Sequence, residues 1–335
     1  MKGFDAEFRD VDHYIRAITD RIWTDGRIDA IARYYDPECV VETPTTTLRG
    51  ADAVADSTRA TLATFPDRRL LAEDVIVSGD ADNGFHSSHR ILSPMTHAGA
   101  GPFGAATGRP VHVRTVADCV VRNNRIVHEW LVRDQAAIAR QIGREPRALA
   151  QAWLDSTPDA VRPAPTQAPA PYRNHVCNDG VAQEHAAAFR ETWEGAGPQA
   201  LAATHSREVI AALPGGSAAS GREALLAYWD AMRSALPDAR LNVEHLVAAP
   251  RPGKTALAMR WRLAAHHAGS GRFGPATHRR VDILGITHAE AGPRGIEREW
   301  ILIDEIAIWM QLLEPSGAPV RREVPFFSTT MEETP

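Results

Sequence analysis

Residues 125–134 read Arg125-Ile126-Val127-His128-Glu129-Trp130-Leu131-Val132-Arg133-Asp134, and 170 residues further on the frame returns as Glu299-Trp300-Ile301-Leu302-Ile303-Asp304. Side chains alternate along a strand. His128, Trp130, Val132 and Asp134 therefore share one face, and Val127, Glu129, Leu131 and Arg133 share the other. Beyond Asp134 the residues Ile138, Ala139, Gln141, Ile142 and Gly143 lead into a helical pattern.

The same offset of 170 extends outward from this segment. Trp23 falls on Trp193, Phe103-Gly104 on Phe273-Gly274 and Thr107 on Thr277. The Phe65-Pro66-Asp67 turn meets Leu236-Pro237-Asp238 one residue out of step, so a single-residue insertion and its compensation lie on either side. Matches of this kind mark a tandem duplication. In the first copy Phe8, Val11, Tyr14, Ile15, Ile18 and Ile22 recur at helical spacing, and Ile28, Ile31 and Tyr35 continue after an Asp25-Gly26 break. A third helix follows the Gly50 turn, or Gly221 in the second copy. Residues 70–77, 84–92, 111–121 and 125–132 read as strands. Helices followed by mostly antiparallel strands make each copy α+β.

The domain layout expected from this is a first copy at 1–157, a proline-rich linker at 158–172, a second copy at 173–313 and a tail at 314–335. At 335 residues and 44% hydrophobic, the chain is large enough for two cores. The net charge of -5, from 37 Lys+Arg against 42 Asp+Glu, gives no reason to expect binding to nucleic acid or anionic lipid. Cys39, Cys119 and Cys177 lie far apart, arguing against a disulfide framework or structural zinc. The charged N-terminus lacks an apolar leader and no run reaches membrane-spanning length, so a cytoplasmic location is expected. A phosphate-cradling glycine loop, a serine nucleophile elbow and metal-ligand spacing are all missing from the sequence.

If the face of Asp134 lines a closed pocket, desolvation raises its pKa to suit a general base for a carbon acid, and Trp300, Leu302 and Asp304 repeat the arrangement. Equally, each Asp could cap the helix after it. His86 and His89 sit on opposite strand faces and His266-His267 diverge, so neither pair suggests a shared metal. Arg114 could pair with Asp118 on the same strand parity, and Glu129 and Glu299, opposite the Asp face, read as structural, with an interface salt bridge as one role open to them.

Glu129-Trp130, Asp134 and Gln141-Ile142-Gly143, with the upstream Thr96-His97-Ala98-Gly99, Thr107-Gly108-Arg109-Pro110-Val111 and Val113-Arg114, resemble the SnoaL-like polyketide cyclases and predicted ester cyclases of the nuclear transport factor two superfamily. The resemblance covers residues 10–143 and, more loosely, 181–313. It implies two cone-shaped pocket domains and an intramolecular aldol closure without metal or cofactor. Asp134, and Asp304 in the second copy, would be the base. His112 and Arg114 would stabilise the enolate, with His97, His128, Trp130, Trp300 and Asp282 as substrate contacts. The substrate implied is a small carbonyl-containing or apolar compound. Pairing of outer sheet faces would make an intrachain pseudo-dimer, with further homo-oligomerisation open. The second copy departs at Asp282, Leu284 and His278, which replace His112, Arg114 and Gly108, so the first copy is expected to hold the better-preserved site. A hydrolase or isomerase of the same superfamily, or a small-molecule binding module, are the competing expectations.

Overall fold

Two runs of the same element order build the molecule, and the computed structural model describes residues 1–157, 165, 166, 168, 169, 172 and 175–314. In the first run, helix α1 (Val11–Thr19) starts where the Asp10 carboxylate accepts the His13 backbone N–H at 2.7 Å, an N-cap. Its buried residues Val11, Tyr14, Ile15 and Ile18 recur at helical spacing. The short helix α2 (Ile31–Tyr34) leads into strands β1 (Tyr35–Glu42) and β2 (Thr47–Arg49). Helix α3 (Ala51–Thr64) then precedes the long strands β3 (Leu71–Asp80), β4 (Gly84–Thr96), β5 (Pro110–Arg122) and β6 (Arg125–Arg133), followed by α4 (Gln135–Gln141) and α5 (Pro146–Ser156). The sheet order is β2-β1-β6-β5-β4-β3, antiparallel except where β1 runs parallel to β6.

The second run opens with β7 (His175–Val176) and α6 (Gly180–Glu194), then β8 (His205–Leu213), β9 (Ser217–Ser220) and α7 (Arg222–Ala235). Strands β10 (Arg240–Arg251), β11 (Lys254–His266), β12 (Arg280–Gly292) and β13 (Gly295–Ile303) and helix α8 (Glu305–Leu313) complete it, in the sheet order β7-β10-β11-β12-β13-β8-β9. Most of the proline-rich segment, and the tail beyond Glu314, fall outside the described residues.

The strand registers locate the one-residue offset. Glu42 pairs with Thr47 across the β1–β2 turn, whereas Ala212 pairs with Ala218 across the β8–β9 turn, so the extra residue lies in the latter. The frame is restored at the next hairpin, where Asp80 pairs with Gly84 but Arg251 with Lys254.

Each sheet turns one face to its own helices and the other to its counterpart. Val116, Val120, Trp130 and Val132 of the first sheet pack with Leu284, Ile286 and Leu302 of the second in one buried cluster. Within this seam two arginines cross over. Arg260, on β11, stacks on the Trp130 ring with its guanidinium carbon 3.4 Å from the centroid, and Arg90, on β4, stacks on Trp300 at 3.5 Å. Cations held over indole faces away from water are strongly favoured. Arg260 also donates to Asp118, which accepts the His245 Nδ1–H at 3.0 Å. Burial alone would raise the Asp118 carboxyl, but His245 and Arg260 more than offset it and hold it well below the usual range. On the other side of the seam Glu73 receives Arg90 at 3.1 Å and Arg114 at 2.9 Å, while His288 approaches Ser88 and Arg90 at 2.9 and 3.3 Å.

Asp118 is 0% and Arg260 1% exposed, so removing one partner strands a buried charge. Arg260→Ala is expected to lose roughly 3–5 kcal/mol of stability, measured by urea denaturation; an unchanged midpoint would show that this crossover does not hold the halves together.

Candidate active site

Strand β6 is buried on both faces, and its alternation divides the site from the seam. Glu129, Leu131 and Arg133 point beneath α1 and α3, whereas His128, Trp130 and Val132 point into the other sheet. The inward residues meet Thr115, Ala117 and Cys119 from β5, His89, Ile91 and Ser93 from β4, and Tyr35 and Val41 from β1. Ile15, Trp23, Ser57, Thr58, Thr61 and Arg68 also line the cavity, whose free volume is about 90 Å³.

The most polar part of the cavity centres on Glu129. Its Oε2 accepts the Tyr35 hydroxyl at 2.7 Å, and burial pushes its carboxyl up to about 7, although the Tyr35 hydrogen bond and nearby Arg133 act in the opposite direction. Burial and the Glu129 carboxylate together raise the Tyr35 phenol well above its ordinary value, so it remains a donor. Burial draws Arg68 down to about 9 and Arg133 down to about 10, which leaves both cationic at neutral pH. It draws His89 to about 3, so that imidazole is neutral. Arg68 Nε and His89 Nε2 have no hydrogen-bond partner among the described residues. A raised carboxyl, a phenol, two guanidiniums and a neutral imidazole thus line one partly apolar chamber.

A family model described as SnoaL-like polyketide cyclase matches residues 13–142 and again 183–312. The chain belongs to the SnoaL-like polyketide cyclase family. Among solved structures it is similar to IdmH from Streptomyces antibioticus, at 22% identity over 39% of this chain and 97% of that one, with a TM-score of 0.35. It is also similar to TsrD from Streptomyces laurentii, at 19% identity over 42% of this chain and 98% of that one, TM-score 0.36. A SnoaL-like polyketide cyclase from Agrobacterium tumefaciens matches at 22% identity over 41% and 100%, TM-score 0.33. No curated protein matches the chain.

The structure places the residues singled out by the family resemblance apart from this cavity. Asp134 caps α4 by accepting the Ala137 N–H at 3.0 Å, and its carboxylate also accepts the Gly215 and Gly216 N–H groups of the second copy at 2.9 and 3.0 Å. Burial raises it to about 6 despite these three donors. The two glycines take positive φ, 78° and 72°, in the turn that carries the inserted residue. Consecutive N–H groups in such turns form an anion cradle. Asp304 caps α8 through the Ile306 N–H at 3.0 Å and accepts Gln135 Nε2 at 2.8 Å.

His128 stacks on Trp130 with ring centroids 4.0 Å apart, and Trp130 and Trp300 lie under the crossing arginines. Arg114 is paired with Glu73 rather than Asp118. His112 is exposed, its backbone bonded to the Gln141 amide, and Asp282 is held in the same way by Gln311 and pairs with Arg280. His97 is buried against Phe65 with its Nδ1 3.1 Å from Thr107 Oγ1. Glu129, read from the sequence as structural, is the carboxylate in the chamber, and Glu299 likewise points into its own copy. His86 and His89 do take opposite faces, the first beside His245 at the seam and the second in the chamber.

The second copy fills the corresponding space. Strand and turn registers set Trp229 where the first copy has Thr58, Met232 for Thr61, Ala239 for Arg68, Met259 for His89, Trp261 for Ile91, Gly285 for Thr115 and Ile303 for Arg133. Phe189, Trp193, Trp229 and Trp261 pack edge to face or, for Phe189 on Trp261, tilted, with centroids 5.1 to 6.5 Å apart.

Asp304, pushed up to about 7 by burial, holds its proton in the folded state above its ordinary range. Its contribution to stability is therefore complete below about pH 4 and lost as pH rises towards 7. Asp304→Asn, which cannot ionise, is expected to gain stability relative to wild type across that window; parallel denaturation curves from pH 4 to 7 with a constant difference would contradict the burial argument.

Proposed function

We propose that the first copy is a cofactor-independent acid-base catalyst acting on a small carbonyl compound, with Glu129 as the general base in place of the Asp134 anticipated from the family. The observation carrying this is the buried Glu129 carboxyl, raised to about 7, in the cavity and hydrogen-bonded by Tyr35. A carboxylate with a pKa near the working pH is suited to removing a proton from carbon.

Glu129 takes the proton from a carbon beside a carbonyl, and the electron pair passes onto the carbonyl oxygen as an enolate. Arg68, Arg133 and His89 supply positive charge and donors for that oxygen. The enolate carbon then forms a bond to a second carbonyl of the same folded substrate, and the alkoxide recovers its proton from Glu129. Tyr35 holds the carboxyl oriented throughout. The largely apolar walls favour a folded, ring-forming conformer. Asp134, gripped by three backbone donors, acts in this reading as a staple between the copies.

Exchange of the acidic carbon protons of small 1,3-dicarbonyl compounds in deuterium oxide, followed by proton NMR, tests the base. Glu129→Gln is expected to lower the exchange rate about 10²- to 10⁴-fold while keeping the fold, and the wild-type rate is expected to rise with pH through about 7. Exchange by Glu129→Gln at the wild-type rate would overturn the assignment.

A further inference from the structure

The second copy keeps the inward carboxylate but changes both of its neighbours. Where Glu129 faces Tyr35 and Ile15, Glu299 faces His205 and His185. All three side chains are buried: Glu299 is 3% exposed, His185 1% and His205 0%. His185 Nε2 lies 3.5 Å from Glu299 Oε1 and His205 Nε2 lies 3.4 Å from Glu299 Oε2. One ligand atom from each residue lies within 4.8 Å of the other two.

These contacts are poor hydrogen bonds. His185 Nε2, His205 Nε2 and Glu299 Oε2 have no hydrogen-bond partner among the described residues. The tautomer of His205 sharpens the problem. Its Nδ1 lies 2.9 Å from the Thr204 hydroxyl and 3.1 Å from the Leu201 carbonyl oxygen, and in the tautomer that satisfies the carbonyl Nδ1 carries the proton. In the neutral ring the Nε2 lone pair then points at a carboxylate oxygen, and two lone pairs face each other in a site closed to water. A cation between them removes the repulsion. The spacing fits one: ligands at about 2.0–2.2 Å from a tetrahedral metal ion stand roughly 3.3–3.5 Å apart. An imidazole whose far N–H is anchored on a backbone carbonyl is also the usual support for a metal-binding histidine.

We propose that His185, His205 and Glu299 bind a divalent transition metal, with zinc the best fit, as a structural centre in the second copy. Two imidazoles and one carboxylate are hard-to-borderline ligands suited to zinc. The surrounding tryptophans close the site, so the ion enters as the chain folds. The other buried cluster of this composition, His86, Asp118 and His245, differs in one respect: Arg260 already donates to Asp118 and supplies the positive charge.

The test uses the full chain, without an affinity tag, expressed in zinc-supplemented medium and separately refolded with excess zinc. After gel filtration, elemental analysis is expected to give about one zinc per chain. Cobalt refolded in its place is expected to give visible ligand-field absorption bands that the metal-free chain lacks. The double variant His185→Ile with His205→Tyr restores the neighbours found in the first copy, and it is expected to fold and to hold less than about a tenth of an equivalent. A wild-type chain that stays metal-free after both treatments overturns the proposal and leaves an imidazolium–carboxylate pair, visible in nitrogen-15 shifts of the two rings. Full metal retention by the folded double variant overturns it as well, and directs attention to the seam cluster.

Discussion

The two sheets are held together by a pair of crossed guanidinium–indole stacks, and the rest of the molecule is arranged around that exchange. Arg260 reaches across to Trp130 and Arg90 reaches across to Trp300, each from a strand of one copy onto the adjacent copy. Neither arginine could be buried alone, because an unpaired guanidinium out of water is costly. Asp118 and Glu244 balance Arg260, and Glu73 balances Arg90. The arrangement explains why a tryptophan follows the inward glutamate in both copies. The glutamate belongs to the interior of its own domain and the tryptophan belongs to the other domain's arginine.

Much of the architecture is legible in the sequence. The repeat at an offset of 170, its one-residue slip, the helices before the strands and the four long strands of the first copy follow from periodicity and turn residues, whereas β1 and β2 do not, and Tyr35, read at helical spacing, opens β1. The polarity of the sheet does not. Alternation on 125–133 divides the side chains into two sets, but it does not say which set faces inward. In an isolated sheet the apolar set would settle the matter. Here the second copy covers the outer face, so His128, Trp130 and Val132 are as buried as Glu129, and apolar content cannot discriminate. The inward placement of Glu129 depends on the helices lying over it, a long-range contact with no local trace. One signal was available: Leu213-Pro214-Gly215-Gly216-Ser217 is a turn with two adjacent glycines and one more residue than its counterpart, and its backbone donors receive Asp134.

The two copies also show how one backbone supports opposite uses of the same volume. In the first copy, threonines, Arg68, His89 and Arg133 line a chamber and leave it open. In the second, tryptophans and methionines occupy the space, and the sheet register is unchanged. The interior is spent on packing, which strengthens the half that contributes a covering face and a glycine cradle to its neighbour.

That packing imposes an order on any route back. Gly285 stands where the first copy has Thr115, and a Cβ built on it would come within 2.2 Å of the Trp261 ring. A side chain cannot be added at 285 while the indole is present, and shrinking the indole first opens a void beside a glycine. Each single step is penalised by the state the other has left behind. The two positions are therefore epistatic, and the filled half behaves as a ratchet: a second chamber could be regained only through simultaneous change at both.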